Sequence, residues 1–421
     1  MNQKYAFPPV NYRDKAYRSP KLDPEKNSHR YPIQETLKRL KPIMQRIGIT
    51  RISNVTGLDR IGIPCVNAIR PDLDGFSVAH GKGLTLDAAM ASAVMESTER
   101  YYGMEVDLPS HTASYSDLGR EYNCASFEKI ASSKNSLFHK ELPVKWVMGW
   151  DLVHEQEAAV PLELVSLRRN FKSSELYSFQ ASSNGLAAGL DFLDAVTQAL
   201  LEVIERDAVT CHQLAAESDG SSMFPMKSVD ISTIPYEAVK QLISGIETVD
   251  IKVMLYDCTL DTQVPCYNCY LLDRAQPKFG ICHGMGASLS PATAMVRAVT
   301  EAALARAVLE SGVRESFFRD QLVVRKMFDC GNILESMENG GFSVDASNLK
   351  SEITASFEGD IHICIRKLRN VGIDQVIVFD ISPAVSDFHV VRVVVPGLEG
   401  YMLPHYRPGE RGIRYIQGGE I

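Results

Sequence analysis

The sequence predicts an α+β fold in which a sheet-and-helix unit is internally duplicated around one central site. Three observations predict it. A small-residue, glycine-rich loop feeds a long helix three times: Gly81-Lys82-Gly83 before Leu86, Ala181–Gly189 before Phe192, and Gly280–Ser288 before Pro291. Strand-like segments fill the intervals between these helices, as expected for helices laid on largely antiparallel sheets. The composition is that of a globular chain, 45% hydrophobic and 23% charged over 421 residues.

Residues 1–31 read as an irregular polar arm, 32–407 as the folded body and 408–421 as a tail. Pro32 begins a helix with Ile33, Leu37, Leu40 and Met44 at helical spacing. Ile49–Arg70 reads as a strand, a turn at Gly57-Leu58-Asp59 and a second strand; Phe76–His80 reads as a third. A helix is expected from Leu86 to Tyr102, with Asp87 suited to its positive end. Residues 107–140 read as surface loops with a short helix, and Val144–Asp151 as a strand with more strand-like sequence after Pro161. Helices are expected over 192–213 and 291–311. Gly245–Leu260, Pro265–Leu272, Asp360–Arg366, Gln375–Asp380 and Phe388–Val395 read as strands.

A formal net charge of -8 argues against a nucleic-acid binder, because no overall positive field attracts phosphates. No apolar run is long enough for a membrane span. No secretory signal opens the chain, so a cytoplasmic protein is expected. The odd number of scattered cysteines fits reduced thiols. Cys266 and Cys269 form a CxxC, but in strand-like sequence they point to opposite faces, which disfavours zinc or redox chemistry.

Two helices carry the chemistry. AAMASAVMESTERYYG holds Glu96 and Glu99 three apart on one face, with Ser92 one turn earlier. AVTQALLEVIERDAV repeats the spacing with Glu202 and Glu205; Gln198 stands for Ser92 and Asp194 lies one turn further back. Arg100 and Arg206 follow the two pairs identically. Glutamates on apolar helices are costly to bury without a partner, and magnesium, a hard cation that bridges carboxylates to phosphates, offsets that cost. The alternative is an ordinary solvated helix face with local ion pairs. The third helix departs: Arg297, Glu301 and Arg306 offer one acid and two bases, and Leu304 replaces the second acid. Lys82 between glycines can meet a phosphate or a peptide carbonyl, and Asn184 can offer its amide oxygen to a metal; turn residues are the plain alternative for both.

In combination, RISNVTGLDRIGIPCVNAIRP, SVAHGKGLTLDAAMASAVMESTERYYG, SSNGLAAG…ALLEVIERDA and GMGAS…AMVRAVTEAALAR closely resemble the YcaO superfamily, from about His29 to Arg407. The resemblance implies a YcaO-type fold around a central ATP and magnesium site. It implies Glu96, Glu99, Glu202 and Glu205 as metal ligands. Lys82, Ser92, Asn184, Asp194, Arg206, Arg297, Glu301 and Arg306 are then nucleotide-site residues, Asp194 replacing a usual glutamate. The implied activity is ATP-dependent phosphorylation of a peptide or protein backbone amide. Sulfide attack would follow to give a thioamide, as in TfuA-linked members, one of which acts on a glycine of methyl-coenzyme M reductase. The chain ends RGIRYIQGGEI, without the PxPxP tail of many azoline-forming relatives. The alternatives are an azoline-forming cyclodehydratase and a non-catalytic ATP-binding accessory factor. A peptide substrate, a TfuA-like sulfur-handling partner and a homodimer are expected. No general base is marked.

Overall fold

The computed structural model describes residues 7–23, 29–71, 77–130, 132–134, 136–168, 178–179, 182–218, 227–275, 281–312, 343–400 and 406–418. The chain begins with a hairpin, β1 (Val10–Tyr12) and β2 (Lys15–Tyr17), then α1 (Ile33–Arg46), β3 (Arg51–Asn54), β4 (Cys65–Ile69), β5 (Val78–Lys82) and α2 (Leu86–Met104). Next come β6 (Ser110–Ala113), α3 (Tyr115–Leu118), β7 (Val144–Asp151), β8 (Gln156–Pro161), β9 (Leu186–Gly189) and α4 (Phe192–Ser218). The third part holds β10 (Lys227–Val229), α5 (Glu237–Glu247), β11 (Ile251–Asp257), β12 (Cys266–Asp273), β13 (Ile281–Ala287) and α6 (Pro291–Ser311). The chain closes with β14 (Ser343–Val344), α7 (Phe357–Asn370), β15 (Ile377–Asp380), β16 (His389–Val394) and α8 (Glu410–Ile416).

Three sheets carry the architecture. Their orders are β3-β4-β5, then β6-β7-β15-β16-β9 with β8 added to β7, and β13-β12-β11-β10-β14. Every pairing is antiparallel except the short β10–β14 pair. β5, β9 and β13 are each an edge strand of their own sheet, and each leads directly into a long helix. α2 packs on β5 and also on β9; α4 packs on β9 and also on β13; α6 packs on β13 and also on β5. The three strand–helix units therefore close into a ring.

The segments expected as glycine-rich loops are these strands. Their small residues admit a helix at very short range. A Cβ on Gly81 would stand 2.1 Å from the Ala89 carbonyl oxygen and 2.2 Å from the Ala93 nitrogen. A Cβ on Gly286 would stand 2.2 Å from the Ala294 oxygen and 2.6 Å from the Ala298 nitrogen, the same two positions further along the chain. Capping residues then start the helices: the Thr85 hydroxyl accepts from the Ala88 amide, Asp191 from those of Leu193 and Asp194, and the Ser290 hydroxyl from that of Thr293. Gly284→Ala, whose Cβ would lie 2.1 Å from the Ala302 nitrogen, should lower the unfolding free energy by about 3 kcal/mol or more. Gly245→Ala, with nothing within 4 Å of the new carbon, should leave stability level or raise it. Urea unfolding of the pair checks both.

Other expectations need correction. Asp360–Arg366 is not a strand but part of α7. DIHICIR alternates in polarity, yet Phe357, Ile361, Cys364 and Leu368 also recur at helical spacing and are buried. The Ser356 cap, the acids Glu358 and Asp360 in the first turn, and Lys367 and Arg369 in the last decide for helix. The start of Gly245–Leu260 belongs to α5, and the strand near Pro161 ends at that residue as β8 instead of following it. Phe76, Ala181 and Gly280 lie outside the described residues. The N-terminal arm, expected to be irregular, carries the β1–β2 hairpin, with Val10 and Tyr12 buried against α4 and α7. It continues through an ion pair between Lys21 and Asp360, both buried. Cys266 and Cys269 lie on opposite faces of β12, one in the core under α4 and the other in the core under α6. No helix among the described residues is long and apolar enough to cross a membrane.

Candidate active site

The ring geometry brings most of the predicted side chains to its centre. Glu96 on α2 accepts from the His80 amide at 2.6 Å and pairs with Arg100. Glu99, one turn on, accepts from the Ala188 amide of β9 at 2.9 Å. Glu205 on α4 accepts from the Ala287 amide of β13 at 2.9 Å. Gly81 and Gly286 meet their helices at matching positions, and Lys82, Ala188 and Ala287 stand equally far before Glu96, Glu202 and Glu301, which makes them equivalent in the three units. Glu99 and Glu205 are equivalent too, so the second acid of each pair is fixed by the backbone of the next unit. At the third corner Leu304 replaces that acid. Glu301, the counterpart of Glu96 and Glu202, instead takes the Lys82 ammonium at 2.5 Å. The ring is thus closed twice by a carboxylate–amide bond and once by an ion pair.

The electrostatics follow from this crowding. Burial pushes the Glu99 carboxyl well above the usual range, and the nearby Glu202 and Glu96 add to the effect. Burial likewise pushes Glu202 up to about 7, against the opposing pull of Arg206 and Arg392. Glu205 is raised by burial, with Glu301 adding and Arg206 and Arg297 opposing. Burial also works upward on Glu301, but Lys82 and Arg206 outweigh it and hold its carboxyl below the ordinary range. Arg206 stands 3.8 Å from Glu202 and 3.9 Å from Glu205.

Among the described residues no group of three or more His, Cys, Asp or Glu side chains is already gathered to hold a metal. Magnesium does not need one: it commonly takes one or two carboxylates and completes its octahedron with water and substrate phosphates. The donor set fits that mode. Glu205 is buried and Glu99 and Glu202 are half-buried, all three held under-compensated, and the Asn184 side-chain oxygen is buried with no hydrogen-bond partner among the described residues, a rare state for a buried acceptor. Ser92 shares the Glu96 face of α2, one turn earlier. Arg297 acts on the charge of Glu205.

Two predicted residues are placed differently. Asp194 is occupied by the arm: His29 meets its carboxylate at 2.8 Å, while the neighbouring Arg30 meets Asp191 at 2.5 Å. Arg306 is not in the cluster. It is buried in a network with Asp59 and Asp273 at 2.9 Å and Glu310 at 2.8 Å. Arg306→Met should therefore cost about 3–5 kcal/mol of stability, the cost of leaving buried acids unpaired, while the folded fraction keeps its nucleotide affinity. Denaturation paired with calorimetric nucleotide titration checks this, and a selective affinity loss would return Arg306 to the site. Sequence reading missed Arg392, a lone cation in an apolar strand, and His283 on β13, which senses the charges of Glu301 and Arg206. Neither has a sequence signal of its own.

A family model described as YcaO cyclodehydratase, ATP- and Mg2+-binding, matches residues 80–399. An uncharacterized protein of Methanothermobacter thermautotrophicus is 31% identical over 90% of this chain and 96% of its own length. An uncharacterized protein in the tfuA 3′ region of Rhizobium leguminosarum bv. trifolii is 28% identical over 92% of each chain. Among solved structures, a heterocyclase in complex with substrate and cofactor superposes with a TM-score of 0.75 at 18% identity. It covers 97% of this chain, which spans 57% of the heterocyclase's length. The structure of YcaO from Methanopyrus kandleri bound with AMPPCP and Mg2+ gives 0.67 at 22% identity, covering 88% of this chain and 92% of its own. The α+β fold with paired sheet-and-helix units is shared with both.

Proposed function

As a member of the YcaO cyclodehydratase family, whose model spans residues 80–399, this chain is an ATP- and Mg2+-dependent enzyme that activates a peptide backbone amide, and we propose that its product is an azoline. An amide carbonyl is a weak electrophile and its oxygen a poor leaving group. Transfer of the γ-phosphoryl group to that oxygen solves the second problem. A substrate cysteine, serine or threonine then adds to the carbonyl carbon, and phosphate departs with the former amide oxygen.

The observation that carries the site reading is the set of under-compensated carboxylates, two of them locked by backbone amides, beside the unpartnered Asn184 oxygen. Glu96, Glu99, Glu202 and Glu205 would hold the magnesium. Bound there, it supplies charge neutralisation to a transferring phosphoryl group. Arg206, Arg297 and Lys82 supply fixed positive charge around Glu205, already oriented before reaction. The family description and the named heterocyclase support ring closure by the substrate's own side chain. A second reading, capture of the activated amide by sulfide to give a thioamide with a TfuA-like partner, is supported by the tfuA-region relative. The relatives described above give no support to a glycine of methyl-coenzyme M reductase as the target.

The test is ATP turnover with a cysteine-containing peptide, with and without sulfide, followed by intact peptide mass. Loss of one water without sulfide supports the azoline. Exchange of one oxygen for sulfur, only with sulfide, supports the thioamide. Nucleotide binding with no turnover of any peptide, even with a TfuA-like protein added, would favour an accessory factor.

A further inference from the structure

Arg392 sits on β16 opposite Leu186 of β9 and is 4% exposed. Its Nε donates to the Leu164 carbonyl at 2.9 Å. Its Nη1 is buried and meets no acceptor among the described residues. Among the described residues Glu202 is the one carboxylate whose charge acts on it, and no hydrogen bond or ion pair joins the two. Burial pushes the guanidinium down to about 10, the direction expected of a cation short of compensation. Burying an arginine without a carboxylate in contact is strongly unfavourable, so a fold that does so needs a reason.

The neighbouring backbone suggests one. Val393 donates to the Gly185 carbonyl at 2.7 Å, and Leu186 to that of Ser183 at 2.9 Å. Arg392 is thereby fastened behind the short loop that presents Asn184, whose side-chain oxygen is the other unpartnered atom here. A buried donor and a buried acceptor, each with an open valence, stand on adjoining segments, the donor within the field of Glu202. They do not satisfy each other. A ligand with both an anionic oxygen and a bound cation satisfies both: the oxygen accepts from the arginine and the cation takes the amide oxygen.

We propose that Arg392 is an anion-binding residue of the nucleotide site, its Nη1 donating to a phosphate oxygen held at the Glu202 corner. This rests on the reading of that corner as the ATP and magnesium site. Arg206 stands 3.8 Å from Glu202 on its own helix α4, whereas Arg392 acts on the same carboxylate from β16 through its charge alone. The two cations thus face one carboxylate from different elements, and the backbone of the strand-borne one is paired with β9.

The test uses the full chain, a non-hydrolysable ATP analogue with Mg2+, and adenosine as a ligand without phosphate, all titrated by calorimetry. Arg392→Gln should bind the analogue about tenfold to a hundredfold more weakly, the loss of one charge-assisted hydrogen bond, and bind adenosine as the wild type does. Arg392→Lys, which keeps the charge, should recover part of the loss and serves if the glutamine variant does not fold. Equal analogue affinity in wild type and a folded variant overturns the proposal, as does an equal loss for both ligands. If the wild type itself fails to bind the analogue, the reading of the whole corner fails instead.

Discussion

Glu205→Gln should lower peptide-dependent ATP turnover by about a hundredfold to a thousandfold, the scale seen when one preorganised electrostatic group is removed from an active site. The substitution keeps the size of the side chain and removes its charge. Glu205 accepts from the Ala287 amide through one oxygen, which leaves the other for a ligand. Its helix position is the counterpart of Glu99, which accepts from Ala188 in the same way, so Glu99→Gln should behave alike. Thermal stability should move the other way. Burial already drives these carboxyls upward in pKa, and replacing a buried, under-compensated acid by a neutral group is often neutral or stabilising. Activity falling while the melting temperature holds or rises is the expected signature, measured by phosphate release and calorimetry. A variant with wild-type turnover would remove Glu205 from the site.

That signature explains which parts of the molecule were legible in the sequence. Selection for a charge where folding disfavours one leaves a visible anomaly, and the repeated ExxER on apolar helices is such an anomaly. The helices themselves were legible because Thr85, Asp191 and Ser290 cap them and small residues line them. The strands before them read as loops because glycine content signals turns by default. Here Gly81, Gly284 and Gly286 serve close helix-on-strand approach, a requirement set by partners in three dimensions. Arg306 was misplaced for a related reason. Its spacing from Arg297 and Glu301 suits the site, but its partners Asp59 and Asp273 are brought to it only by the packing of α6. Arg392 was invisible because a single arginine in VVRVVV has no local pattern to betray its task. The closing of the ring, with Lys82 meeting Glu301, is likewise a property of tertiary structure.

The acid titration of the site gives the second large effect. In the unfolded chain Glu202 loses its proton near the ordinary glutamate value of 4.5; in the folded, ligand-free protein burial holds the proton until about 7. Between these values the folded state binds more protons than the unfolded one. Stability therefore falls as pH rises through this window and levels off above it, by up to about 3 kcal/mol for this one group. Asp207, pushed up to about 6 by burial in spite of Arg411, adds a slope of the same sign. Asp207 is satisfied by Arg411 on α8 and should not respond to nucleotide. Ligand binding separates the two. Magnesium needs the ionised carboxylate, so binding of the metal–nucleotide at pH 6 should release protons, and affinity should rise with pH until about 7. In Glu202→Gln the ligand-free stability should fall less steeply with pH. Proton release should shrink but not vanish, because Glu99 and Glu205 are shifted in the same direction. Calorimetry in two buffers of different ionisation enthalpy counts the protons. Identical release in wild type and variant would mean that Glu202 stays clear of the ligand, and the corner assigned to it would have to be rebuilt around Glu99 and Glu205 alone.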